Sequence, residues 1–247
     1  MTITAERFYQ AADEAIARLK ATQLPAIKRA GELLAEAVMK GGVIQVFGTG
    51  HSRAFALEMA GRAGGLVPAH AIEEDILFLN GVYPVEERKN PYLEREPEIA
   101  HQILAQYDIR PEDIFIIVSN SGRNGSTVEM AAEVKRRGHK LIVVTSMAHT
   151  TSVTSRHPSG KRLYEFADVV IDNCGPLGDA LLEVEGSPVK VCAVSSITGA
   201  LIAQGLTAEV IGRLVAAGQT PPVYISANVD GSDEHNEALK ARYAGRI

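Results

Sequence analysis

A chain of 247 residues, 46% hydrophobic and 22% charged, can bury the core of one large domain, which excludes a disordered chain. Its 25 Lys and Arg against 30 Asp and Glu leave a net charge of −5, which excludes the global basic field that holds a nucleic acid. Two cysteines, Cys174 and Cys192, are too few for a disulfide scaffold and read as small buried hydrophobes.

Residues 1–40 carry six basic and five acidic side chains without the charged-then-apolar order of a signal peptide, so a cytoplasmic location is expected. Phe8, Ala12, Ala15, Ile16 and Leu19 recur at helical spacing, as do Ile27, Leu33, Leu34, Ala37 and Val38, and Pro25 is expected to separate two helices. This N-terminal helical arm, 1–40, is set apart from a main domain at 41–247. Gly41-Gly42 stops the arm, and Val43-Ile44-Gln45-Val46-Phe47 reads as the first strand. Similar runs follow at 66–70, 114–118, 141–145 and 169–171; being almost continuously apolar, they predict strands covered on both faces.

Helical segments are predicted at 52–63, 96–107, 126–137 and within 189–217. This alternation predicts an α/β fold with a doubly wound parallel sheet, ligands binding beyond the carboxyl ends of its strands. The stretch 189–217 is the longest apolar one, but Lys190, Ser195, Ser196, Thr198, Gln204, Glu209 and Arg213 interrupt it, so no membrane span is expected. Residues 72–95, with Pro84 and Pro91, and 147–162 resist assignment; long loops of this kind serve as lids, binding loops or subunit contacts, and at least one is expected to reach a neighbouring subunit. A short C-terminal helix capped by Ser232 completes the chain.

Two loops can hold a phosphate. The first strand runs into Gly48-Thr49-Gly50-His51-Ser52-Arg53, where glycines let a ligand approach the backbone and a helix start offers free N–H groups to an anion. As a dinucleotide fingerprint it fails, because Arg53 stands where the third glycine is needed for helix–strand packing, even with Glu73 and Glu74 near the ribose-binding distance. No cofactor is expected. The plainer reading of this loop is a tight turn with Ser52 as a helix cap. The 114–118 strand ends in Ser119-Asn120-Ser121-Gly122-Arg123-Asn124-Gly125-Ser126-Thr127, a run of four hydroxyls, two glycines and an arginine entering a helix. Those residue types are also ordinary in turns. With this strand beside the first, the two loops face each other and one phosphate fits between two helix starts.

Glu58 is the one charge in Ala54-Phe55-Ala56-Leu57-Glu58-Met59-Ala60-Gly61. It is either a general base or the i,i+4 partner of Arg62. Among seven histidines, His51 lies in the first loop and His235 at the start of the C-terminal helix, where it is a second candidate acid or a solvated cap residue. His149 and His157 fall in the 147–162 loop, and His70, His101 and His139 read as structural. No histidine pair has metal-ligand spacing, so no metal is expected.

Residues 43–63 with 114–127 resemble the sugar isomerase (SIS) domain, the phosphosugar-binding family, over roughly residues 40 to 230. The resemblance implies a five-stranded parallel sheet, a sugar phosphate gripped by Gly50, Ser52, Ser119, Asn120, Ser121 and Ser126 or Thr127, and a homodimer or homotetramer whose neighbours complete each site. Glu58-Met59-Ala60-Gly61-Arg62 is similar to the Glu-Leu-Thr-Gly-Arg stretch of phosphoheptose isomerases, where that glutamate is a catalytic base. Those enzymes carry a catalytic histidine on a late helix, whereas 187–218 contains none here. An aldose–ketose isomerase working through an enediol is expected, with Glu58 as base and His51 or a neighbour's His235 as acid. The alternatives are a non-catalytic phosphosugar sensor and a lyase like the N-acetylmuramic acid 6-phosphate etherases. Those etherases have a further C-terminal domain, for which 247 residues leave no room.

Overall fold

The computed structural model describes residues 3–90 and 92–247; Met1 and Thr2 of the expected arm and the expected loop residue Pro91 lie outside the described residues. Thr4 opens helix α1 (Ala5–Met39), its hydroxyl accepting the Arg7 N–H at 3.3 Å. The expected break at Pro25 does not occur: one helix of 35 residues runs through it. A proline inside a helix forfeits one hydrogen bond, but burial of Leu19, Ile27, Ala30, Leu34 and Val38 along one face outweighs that loss.

Strand β1 (Ile44–Gly48) leads through a short 3₁₀ turn, Gly50–Ser52, into α2 (Arg53–Met59). Strand β2 (Ala69–Ile72) starts after Pro68, later than the run at 66–70 predicted; Leu66 instead bridges Val223 near the C-terminus. The unassigned 72–95 stretch contains α3 (Ile76–Leu79) and 3₁₀ turns at Val85–Lys89 and Leu93–Arg95. Then come α4 (Glu98–Leu104), β3 (Ile114–Val118), α5 (Gly125–Arg136), β4 (Lys140–Thr145), α6 (Met147–Thr150) and β5 (Val169–Asp172).

The five strands form a parallel sheet in the order β2-β1-β3-β4-β5, so the β1 and β3 loops are neighbours as expected. Ile44, Val46, Ile114, Ile116, Ile142, Val144 and Ile171 point to one face, beneath α1, α2 and the long late helix. Phe47, Phe115, Ile117, Leu141 and Val143 point to the other, against Ile99, Ile103, Met130 and Val134. Both faces being buried explains why the strands read as unbroken apolar runs.

A hairpin of β6 (Ala180–Glu183) and β7 (Lys190–Ala193), absent from the sequence reading, precedes α7 (Ser195–Ala216), so the helix expected within 189–217 begins at Ser195. Cys192 lies exposed on this hairpin, which corrects its reading as a buried hydrophobe; Cys174 is buried. By length and composition α7 is apolar enough to cross a bilayer, contrary to expectation. It is placed as a core helix, with Thr198, Ile202, Leu206, Val210 and Leu214 buried. Helix α8 (Ser232–Lys240) is capped by Gly231 instead of Ser232. The C-terminus is pinned by a buried ion pair between Arg246 and Asp113, the latter just before β3.

Candidate active site

The cleft lies at the carboxyl ends of β1, β3 and β4, where open α/β sheets bind their ligands. Gly48 makes the first turn possible, because a Cβ there would sit 2.8 Å from the Ser52 carbonyl oxygen. Ser52 makes no capping hydrogen bond, so its hydroxyl does not serve the helix start as the plainer reading had it. His51, Ser52, Phe55 and Glu58 line one wall; Val118, Asn120 and Asn173 form the floor; Ser195, Ser196 and Gly199 of α7 form the other wall. The cavity volume is about 120 Å³, smaller than the usual small-molecule site, so the cleft is a narrow one open to solvent.

Glu58 sits in the last turn of α2, which ends before Arg62, yet the two still form an ion pair. Gln204 of α7 donates its Nε2–H to the same carboxylate oxygen, Oε1, at 2.7 Å. Arg62 also contacts Oε1, so both partners take one oxygen of the carboxylate.

The predicted phosphate residues divide. Asn120 reaches the cleft, its Oδ1 accepting Asn173 Nδ2–H at 2.6 Å. Ser119 is buried and its Oγ accepts the Gly122 N–H at 3.1 Å; Ser121 is half-buried in the same turn. Gly50 and His51 also line a second hollow behind the first loop, with Arg53, Glu73, Glu74 and Asp75. Ser126 and Thr127 are fully buried, and Ser126 Oγ–H donates to the Glu94 carbonyl at 2.8 Å. His235 is not brought to the cleft of its own chain: its Nε2 contacts the Val223 carbonyl at 3.0 Å, beside the Leu66 bridge and toward the amino ends of the strands.

Several residues were missed. Glu94, in the turn after residue 92, ties the two loops together: Thr49 Oγ1–H donates to its Oε2 and Asn124 Nδ2–H to its Oε1, both at 2.8 Å. The Glu74 carboxyl is pushed up by burial first, then by the charges of Glu94 and Asp75, with Arg53 opposing. Asp179, held at a φ of 70°, accepts the Ser195 N–H at 2.9 Å and the Ser195 hydroxyl at 2.6 Å, closing the start of α7. Burial pushes His149 down, the Asp179 charge opposing, and its Nδ1 is buried without a partner. Asn173 could have been found by applying the strand-end rule to β5; Gln204 and Glu94 carry no local signal.

The model of the family described as "SIS domain" matches residues 7–146. A UPF0309 protein of Listeria monocytogenes serovar 1/2a is 43% identical over 97% of this chain and 97% of its own. One from Caldanaerobacter subterraneus is 41% identical over 94% of each chain. Among solved structures, a phosphoheptose isomerase from Francisella tularensis superposes with a TM-score of 0.55 at 18% identity, covering 83% of this chain and 95% of that one. The phosphoheptose isomerase GmhA from Neisseria gonorrhoeae superposes equally, at 15% identity with the same coverage. At these identities the likeness is one of fold.

Proposed function

The chain belongs to the SIS-domain family, and on that premise we propose that it binds a sugar phosphate and interconverts its aldose and ketose forms through an enediol. The observation that carries this reading is the placement of Glu58. Its Oε1 is occupied by Arg62 and Gln204, so the carboxylate is oriented and Oε2 is the oxygen for proton transfer in a cleft that His51 also lines. Glu58 takes the proton from the carbon next to the carbonyl and returns it to the adjacent carbon. His51 moves the proton between the two oxygens. The sugar phosphate is anchored by Ser119, Asn120 and Ser121 of the loop before α5, with Ser52 facing it from the first loop. Ser126 and Thr127, enclosed beneath the loop, shape it from below.

The working unit in this reading is a homodimer or homotetramer, in which His235 serves a neighbour's cleft; a single-chain mass by light scattering would remove that role. Turnover of a panel of pentose, hexose and heptose phosphates tests the chemistry. Glu58→Gln should lower the rate by about 10²–10⁴-fold, the usual worth of a positioned base. Equal rates in the two proteins would take Glu58 out of the mechanism.

A second reading, a non-catalytic phosphosugar sensor, is favoured by one observation: the side chain that α7 presents to Glu58 is the amide of Gln204, which carries no titratable proton. Sugar-phosphate binding with no turnover by the wild type would select it.

A further inference from the structure

Three arginines surround the outer side of the β3–α5 loop, each from a different segment. Arg123 belongs to the loop, Arg156 to the stretch after α6, and Arg95 to the 3₁₀ turn after residue 92. Contacts to one loop bring their three segments together. The Arg156 N–H donates to the Arg123 carbonyl at 2.8 Å, and its Nη1–H donates to Asn124 Oδ1 at 2.9 Å. The Arg95 carbonyl is packed so tightly on Gly125 that a Cβ at that position would collide with it.

Arg53, Arg88, Arg137 and Arg246 each have a carboxylate partner. Arg95, Arg123 and Arg156 have none within ion-pair distance among the described residues: Arg95 lies over the Tyr92 ring, Arg123 reaches only Thr154 at 3.4 Å, and its buried Nε has no partner. Loss of hydration, then the charges of Arg123 and Arg95, push the Arg156 guanidinium down, and Glu94 opposes them. Gathering like charges from three segments is unfavourable until an anion with several acceptor oxygens arrives, and guanidinium forks suit a phosphoryl group.

We infer that Arg95, Arg123 and Arg156 form a binding site for a phosphate monoester dianion on the outer side of the β3–α5 loop. None of the three arginines lines the cleft, so this site is separate from the one proposed for the phosphoryl group of the isomerised sugar and does not rest on the isomerase reading. The site adds charge to a loop that otherwise offers hydroxyls and amides. Glu94 sets its strength, being the carboxylate that faces the cluster while holding Thr49 and Asn124.

Calorimetric titration with inorganic phosphate tests the site without any turnover. Arg123→Gln and Arg156→Gln should each weaken binding by about tenfold or more, the worth of a charged hydrogen bond. Arg156→Lys should fall between, and Glu94→Gln, which removes the opposing charge, should tighten it. Far-UV circular dichroism confirms that each variant is folded, and Glu58→Gln should bind phosphate as the wild type does. Equal affinity in the arginine variants, or no binding by the wild type at millimolar phosphate, overturns the site. Glucose 6-phosphate should displace inorganic phosphate, which identifies a sugar's phosphoryl group as the ligand; binding of both together would assign the arginines to free phosphate. Loss of turnover in Glu58→Gln with unchanged phosphate binding in the arginine variants would sink this inference and leave the isomerase reading intact.

Discussion

Glu58 shows how far a single residue can be read. Its isolation in an apolar stretch points to either a base or a partner of Arg62, and the structure realises the pair at Oε1 of a residue that lines the cleft. The two readings were never exclusive. His70 gives a cleaner case. Gln45 donates its amide to Asp113, so its oxygen accepts from His70 Nδ1–H at 3.0 Å and fixes the neutral tautomer. Burial, only partly offset by the Asp113 charge, holds His70 below its ordinary value. The unfolded chain then takes up a proton first as pH falls below about 6.5, so stability drops from that point down to the lowered folded value. Urea unfolding at a series of pH values should show this loss in the wild type and a shallower slope in His70→Gln, which keeps a donor toward Gln45. Superimposable profiles would mean His70 does not titrate in this window.

Elements were legible where burial imposed a period. The strands at 114–118 and 141–145 are apolar on both faces and fell almost where expected, because each strand feeds two cores. The hairpin of β6 and β7 escaped because it packs outside the main sheet, exposes most of its residues and so carries no core pattern. Pro25 misled for a different reason: its local cost is set against the packing of α1 on α7 and on the sheet, a tertiary quantity. The α1–α7 contact has a sharp test at Gly31, whose added Cβ would collide with the Cβ of Glu209. Alanine there gains about 1 kcal/mol of helix propensity, yet overpacking costs about 1–3 kcal/mol. Gly31→Ala should therefore lower the urea midpoint, whereas a raised midpoint would show that the two helices separate easily.

For the whole molecule, the net charge of −5 excluded a long polyanion and said nothing about one small one. The fold brings the first loop and the β3–α5 loop to one edge of the sheet, with Glu94 tying them together. Of the two loops, His51, Ser52 and Asn120 were named by motif and strand order and do line the cleft, whereas Ser126 and Thr127 are buried beneath the loop. Asn173, Gln204 and Glu94 were not legible, because their roles come from chain segments that meet only on folding. In the proposed reaction Glu58 moves a carbon-bound proton of a sugar phosphate. Its most direct test is nuclear magnetic resonance of hexose and heptose phosphates incubated with the protein in deuterated water. Deuterium is expected at the carbon beside the carbonyl with wild type and none above background with Glu58→Gln. A bound sugar phosphate that keeps its proton in the presence of the wild type would contradict it.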